Sequence, residues 1–367
     1  HNPFKFALFV AFFPQIIQGP IGIYDDLAHQ LFEPHDFDFT RFKHALELIL
    51  WGLVKKMVFA DTAVIAINNV TSDYNSYGGT ALTFTIILYA FQLYADFSGG
   101  IDISRGVAQI FGIDMMENFK RPYFSKDINE YWRRWHISLG NWFKNYLFYP
   151  LAMSSLFINT SKKIKSTKFG STVAGAHIAK VLPTSIASFV VFFIVGVWHG
   201  ASWKYVGFGV WNGGIIMISV LMKPVFEWCH KKLHINPKSA PYTVFQILRT
   251  FIVILVGYVF DVAPSFTQAM RTFWLFFTDQ SISTGLSEIS TLGLVGNQYV
   301  LLSLGAVFIF IISVIQERHD KTTIRDMLDQ KPFILRWFAM FVGIMLVVSL
   351  GVYGSGFDAA DFVYMQF

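Results

Sequence analysis

The sequence is poor in charge. Aspartate, glutamate, lysine and arginine make up 14% of its 367 residues, against about 25% in a soluble globular domain. With 54% hydrophobic residues and several long apolar runs, that deficit excludes an ordinary soluble domain and points to a polytopic membrane protein. Cysteine is nearly absent, and the lone Cys229 excludes an intramolecular disulfide framework and a cysteine-ligated metal. A signal peptide is not legible, because no basic region and small-residue cleavage site frame the early stretch "FKFALFVAFFPQIIQGPIGIY". The start at His1 is expected of a piece that lacks earlier transmembrane segments. Internal repeats are lacking too, which argues against a transporter built from two related halves. The net charge of +5 suits basic loops at an anionic leaflet. Those cations are scattered among apolar spans, so nucleic acid is not expected as a partner.

What is present is a series of apolar segments. A membrane-crossing helix needs roughly 20 mainly apolar residues. The candidates are Phe6–Ile23, Leu46–Val70, Thr80–Tyr94, Trp142–Ile158, Val181–Trp198, Tyr205–Met222, Val244–Phe260, Tyr299–Ile315 and Leu335–Val352. Pro14, Gly19 and Pro20 break the first, Lys55 and Lys56 interrupt the second, and the third runs into "ADFSGGIDIS". Such irregularity at membrane depth survives where protein buries it or where it lines a wet cavity. The fold class is therefore all-α and polytopic, one membrane domain over residues 1–367, with re-entrant or interfacial pieces in its first half. Lysine-rich Ser161–Lys168, and the basic His230–Lys238 and Glu317–Lys331, are expected in the cytoplasm. Thr278–Gln298, without lysine or arginine, is expected outside.

Polar residues inside apolar spans are costly and mark functional sites by default. In "FFIVGVWHGASWKYVGFGVWNG" His199 ends a long apolar run. A continuous helix there places His199 and Trp203 on one face at i, i+4. The bland alternative is a histidine hydrogen-bonded between helices. His136 lies in "EYWRRWHISLGNWFKNYLFYP", with Trp132 four residues before it, Arg133 and Arg134 between, and Ser138, Asn141 and Lys144 following. An interfacial amphipathic helix explains the mixture of tryptophan and arginine, although not the polar groups after His136. A third cluster, Asp96, Ser98, Asp102, Ser104 and Arg105, follows the third apolar segment, where Gly99 and Gly100 allow a bend. The plain alternative is a loop leaving the membrane, with Asp102 or Ser104 capping the next helix. No histidine or third carboxylate has ligand spacing nearby, so no metal is expected.

Four stretches together resemble the membrane-bound O-acyltransferase superfamily, in the branch of the alginate O-acetyltransferase membrane subunit. They are "FFPQIIQGPIGIY", the run from Leu93 to Pro150, "GVWHGASWKYVGFGVWNG" and the ending "YGSGFDAADFVYMQF". The chain departs from many relatives at Lys144-Asn145, where they read Arg-Asp, and at "PLAM", Pro150–Met153. Lysine keeps the charge and loses the bidentate fork, which bears on acceptor and donor contacts.

The resemblance implies a ring of helices, with re-entrant pieces, around a central tunnel in the cytoplasmic membrane. It implies His199 as the catalytic residue and His136 as the branch's second histidine. No permanently bound cofactor is implied. The donor would be acetyl-CoA or an acyl-carrier thioester on the cytoplasmic side. The acceptor would be an exported or cell-surface polysaccharide of the alginate type, reached through an extracytoplasmic SGNH-type partner. D-alanyl transfer to teichoic acid is the alternative within the class, and a membrane transporter the alternative outside it. A sugar hydroxyl is a weak nucleophile, and a near-neutral histidine can take its proton. His199 is expected in that role, with His136 orienting or polarising opposite. Trp198 and Trp203 are expected to wall out water. Trp132, Ser138, Asn141, Asp96 and Asp102 are candidate lining or binding residues. Arg133, Arg134 and Lys144 are candidates for the donor's phosphates.

Overall fold

The computed structural model describes residues 2–16 and 18–353. No β-strand occurs among them. The fourth resembling stretch lies, apart from Tyr353, outside the described residues. The long helix α1 runs through three consecutive segments, Phe39–Leu53, Val54–Ala60 and Asp61–Ser72. It is followed by α2 (Gly79–Ile110), α3 (Ile128–Arg134), α4 (Ile137–Phe143), α5 (Val173–His199), α6 (Trp203–Leu221), α7 (Ala240–Val262), α8 (Gly296–Arg318) and α9 (Phe333–Leu350). Six of these, α2 and α5 to α9, are long and apolar enough to cross a membrane. The residues group into two compact units, His1–Phe119 with Leu275–Phe367, and Lys120–Trp274.

Within the first unit α1 packs lengthwise on α2. Glycines make the approach close: a Cβ on Gly52 would stand 2.6 Å from the Gly99 carbonyl oxygen, and one on Gly106 would stand 2.8 Å from that of Ala45. Backbone-to-backbone packing of this kind is how membrane helices gain contact without a hydrophobic drive between them. It corrects the bend expected at Gly99-Gly100. The glycines sit mid-helix in α2, which continues unbroken to Ile110. Asp102 and Ser104 consequently cap nothing.

The polar residues of this interface neutralise one another. Val54–Ala60 is a π-helical stretch, a widening that often accompanies buried polar groups. Lys56 Nζ lies 2.5 Å from Asp96 and 2.8 Å from Asp61. Lys55 Nζ donates to Asp102 at 2.7 Å and to Ser98 Oγ at 2.8 Å. Helix α9 has the opposite character, with no buried residue along its length. Its apolar surface is suited to lipid.

Two predicted spans do not form. Phe6–Ile23 is broken into Pro3–Val10 and Phe13–Ile16, because Pro14, Gly19 and Pro20 leave no continuous helical ladder. Trp142–Ile158 is divided between the end of α4, a π turn at Lys144–Phe148, a short turn at Tyr149–Ala152 and the helix Ser155–Lys165. Pro150 and Ser154 punctuate it. The seven remaining spans fall within or largely within α1, α2 and α5 to α9.

In the second unit α5 and α6 make a tight antiparallel hairpin. A Cβ on Gly196 would lie 2.3 Å from the Tyr205 carbonyl oxygen and 3.0 Å from Gly209 Cα. Gly200, at φ +151°, terminates α5, a conformation open to glycine and strained for other residues. Lys204, at the start of α6, donates from Nζ to the carbonyls of Asp261 and Ala263, 3.1 Å each, and so caps the C-terminus of α7.

Candidate active site

His136 and His199 both belong to the second unit. His199 is the last residue of α5, held at the hairpin turn by the Gly200 break. Its ring is framed by Trp198 (centroids 5.1 Å, edge-on), Phe208 of α6 (5.4 Å, edge-on) and Tyr205 (6.1 Å, stacked). Phe208 in turn meets the Trp132 ring at 6.3 Å, and Phe192 of α5 meets it at 4.9 Å. One aromatic wall therefore runs from α3 to His199.

His136 sits between α3 and α4 and is 8% exposed. Its backbone is left-handed, φ 45° and ψ 56°, and its carbonyl accepts the Gly140 N–H at 3.0 Å as α4 begins. A non-glycine residue in this region costs roughly 1–3 kcal/mol and persists where the surroundings dictate it. Those surroundings are visible. Asp127 caps α3 through the Glu130 N–H, and Tyr131, 1% exposed, hydrogen-bonds Tyr258 hydroxyl to hydroxyl at 2.7 Å. Phe143, at the far end of α4, buries against Val191 and Val195 of α5 and touches Trp198 at 6.4 Å. These contacts bring the helix that His136 starts against the helix that His199 ends.

The two imidazoles are close enough to sense each other. His136 lies outside the six apolar spans, and its pKa is pushed down to about 3, by burial first and by His199 second. His136 is therefore neutral at physiological pH, with one ring N–H to donate and one lone pair to accept.

The other expected site residues sort by partner. Trp132 lies against the wall, and its buried indole N–H finds no acceptor among the described residues. Ser138 is 2% exposed beside His136, and Asn141 is half-buried. Trp198 is 48% exposed but keeps its edge on His199. Trp203 is a correction: the expected i, i+4 face with His199 does not exist, because α5 stops at Gly200, and Trp203 is 75% exposed. It walls nothing. The i, i+4 face of Trp132 and His136 also fails, since α3 ends at Arg134.

Arg134 is a second correction. It is held by Glu130 at 2.6 Å, and its guanidinium donates to the carbonyls of Lys120 and Arg121, the latter a left-handed residue at φ 48°. It secures the chain reversal before α3. Arg133 and Lys144 are exposed, Lys144 lying over the Tyr149 ring at 5.6 Å. Asp96 and Asp102 belong to the first unit, where Lys56 and Lys55 engage them. Asp96 is 0% exposed, whereas Asp102 borders a cavity.

Sequence reasoning missed Tyr205, Phe208 and the Tyr131–Tyr258 bond. Tyr205 and Phe208 follow His199 at i+6 and i+9, spacings that only the hairpin turn brings back to the imidazole. No group of three or more metal-ligating side chains occurs among the described residues.

Comparison with known proteins identifies the family. Residues 1–172 match the membrane-bound O-acyltransferase family. The chain is 31% identical over 301 residues to the probable alginate O-acetylase AlgI of Pseudomonas syringae pv. tomato, covering 82% of this chain and 51% of that protein. It is 32% identical over 276 residues to a peptidoglycan O-acetyltransferase of Helicobacter pylori, with coverages of 72% and 45%. It is 30% identical over 272 residues to a teichoic acid D-alanyltransferase of Bacillus subtilis, with coverages of 71% and 62%. The chain spans about half the length of the alginate relatives it matches. With six apolar helices among the described residues, a family match over its first 172 residues and relatives aligned over most of its length, this multi-pass membrane protein belongs to the membrane-bound O-acyltransferase family.

Proposed function

We propose that the chain is the membrane part of an O-acyltransferase that moves an acetyl group from a cytoplasmic thioester, acetyl-CoA or an acyl carrier, to a hydroxyl of an exported polysaccharide. The observation that supports this is two histidines within electrostatic reach of each other, His199 against an aromatic wall and His136 buried and neutral on a strained backbone. His199 takes the proton of the attacking hydroxyl as oxygen adds to the thioester carbonyl. The C–S bond then breaks, and the proton returns to the departing thiolate. A neutral His136 donates its ring N–H to the developing oxyanion or orients the acceptor, and needs no net charge to do so. Trp198, Phe208 and Tyr205 keep water from the activated carbonyl.

The acetyl group and the polysaccharide follow the names of the alginate and peptidoglycan relatives. The teichoic acid relative supports D-alanyl transfer as the second reading. Placement in the cytoplasmic membrane and an SGNH-type partner outside belong to the same proposal. The test is ester-linked acetate and ester-linked D-alanine on exported polymer, in cells carrying wild type or His199→Ala at equal membrane expression. Acetate should disappear with the variant. Wild-type acetate in a well-expressed variant refutes the base, and loss of D-alanine instead selects the second reading.

A further inference from the structure

The first unit holds a cavity of about 300 Å³ whose lining includes neither His136 nor His199. Its walls come from α1, α2, α8 and α9, with the short helix Ile324–Asp329 at one side. One part is apolar, built by Trp51, Phe308 and Leu346 among others, and α9 turns its remaining surface outward. The other part is ionic and balanced. Lys55, Arg105 and Arg325 face Glu47, Asp102 and Glu117.

Most of these charges are already engaged. Lys55 and Arg105 share Asp102, and Arg105 also lies 3.8 Å from Glu117. Glu47 and Arg325 differ. Glu47 Oε2 is buried and has no hydrogen-bond partner among the described residues. Arg325 makes its two hydrogen bonds, to the His44 carbonyl at 2.8 Å and Gln109 Oε1 at 3.0 Å, through Nη1 alone. The two opposite charges lie within electrostatic reach and line the same space, yet they form no ion pair with each other. A buried carboxylate oxygen without a donor is costly. An open guanidinium edge matches a phosphate.

We propose that this cavity binds a zwitterionic membrane phospholipid of the ethanolamine type. Its phosphate sits on Arg325, its ammonium pairs with the Glu47 carboxylate, and an acyl tail follows Trp51, Phe308 and Leu346. The balanced walls select a headgroup of zero net charge, since an anionic lipid would leave its charge uncompensated in a partly buried site. Choline lipids match the charge but offer no N–H to Glu47.

The test uses the full chain in detergent, stripped of lipid, with phosphatidylethanolamine, phosphatidylcholine or phosphatidylglycerol added back. Binding is read by native mass spectrometry and by melting temperature. Phosphatidylethanolamine should bind best and raise the melting temperature. Glu47→Gln should weaken it by about tenfold or more, the worth of one charged hydrogen bond. Should Glu47→Gln fail to fold, Arg325→Lys, which keeps the charge and loses the fork, should show the same selective loss. Equal or tighter binding of phosphatidylglycerol overturns the proposal, as does an undiminished ethanolamine response in a folded variant. Equal stabilisation by free phosphoethanolamine assigns the site to a soluble headgroup and overturns the lipid.

Discussion

Replacing Asp96 by asparagine separates a structural carboxylate from a reacting one. Lys56 Nζ stands 2.5 Å from Asp96 and 2.8 Å from Asp61, and the three side chains are 6%, 0% and 7% exposed. Removing one partner of a buried ion pair costs about 3–5 kcal/mol. Asp61 still holds the ammonium in Asp96→Asn, so the lower figure applies, about 3 kcal/mol. Lys56→Met leaves two buried carboxylates facing each other, and the upper figure, about 5 kcal/mol, applies. The triple variant Asp61→Asn, Lys56→Met, Asp96→Asn removes every charge and should recover most of the loss, because uncharged packing often matches a buried pair. At 2–4 °C per kcal/mol, Asp96→Asn should melt roughly 6–12 °C below wild type in detergent. Acyl transfer per folded molecule should be near that of wild type. An unchanged melting temperature with lost transfer would refute the structural role and return Asp96 to the reaction path.

Two further outcomes follow from the second unit. Gly196→Ala forces a methyl group against the Tyr205 carbonyl, so the α5–α6 hairpin must open three residues before His199. A loss of about 1–3 kcal/mol is expected, together with a drop in transfer larger than any change in donor KM; wild-type values for both would contradict the packing. His136, with its pKa lowered to about 3, starts from about 6.5 in the unfolded chain. The unfolded state binds the proton first. The stability of the buried neutral ring is thus complete above pH 6.5 and falls as pH drops toward 3. Between pH 7 and pH 5 wild type should lose about 2 kcal/mol more than His136→Asn, and parallel melting profiles would argue against a buried neutral imidazole.

The helical class and the later spans were legible because each is a continuous apolar run with basic or glycine-bearing ends. Residues 173–221 show this well: two apolar runs read as two spans and both formed as helices, although the break at Gly200 that ends the first was not read. The first half was harder. Gly99-Gly100 reads locally as a bend, but the partner that needs Gly99, Gly52, lies 47 positions earlier. The lysines of α1 read as an interruption, and only the carboxylates on α2 turn them into a core. At the site, the two histidines were visible as ionisable groups beside apolar segments. Their aromatic frame was not, because helical spacing fails at both breaks. His136 adopts a left-handed backbone that no periodicity announces. Arg134 read as a free cation, while Glu130 at i−4 was the available signal that it is paired.

The central claim is that His136 and His199 act as one unit. The most direct measurement is acyl transfer per folded molecule for His136→Ala, His199→Ala and the double variant, each with its melting temperature. Residues that act together are strongly non-additive. Each single variant should lose nearly all transfer, and the double variant should be little worse than the more damaged single. Losses that multiply, with all three proteins folded, would show that the two histidines serve separate steps and would contradict the shared site.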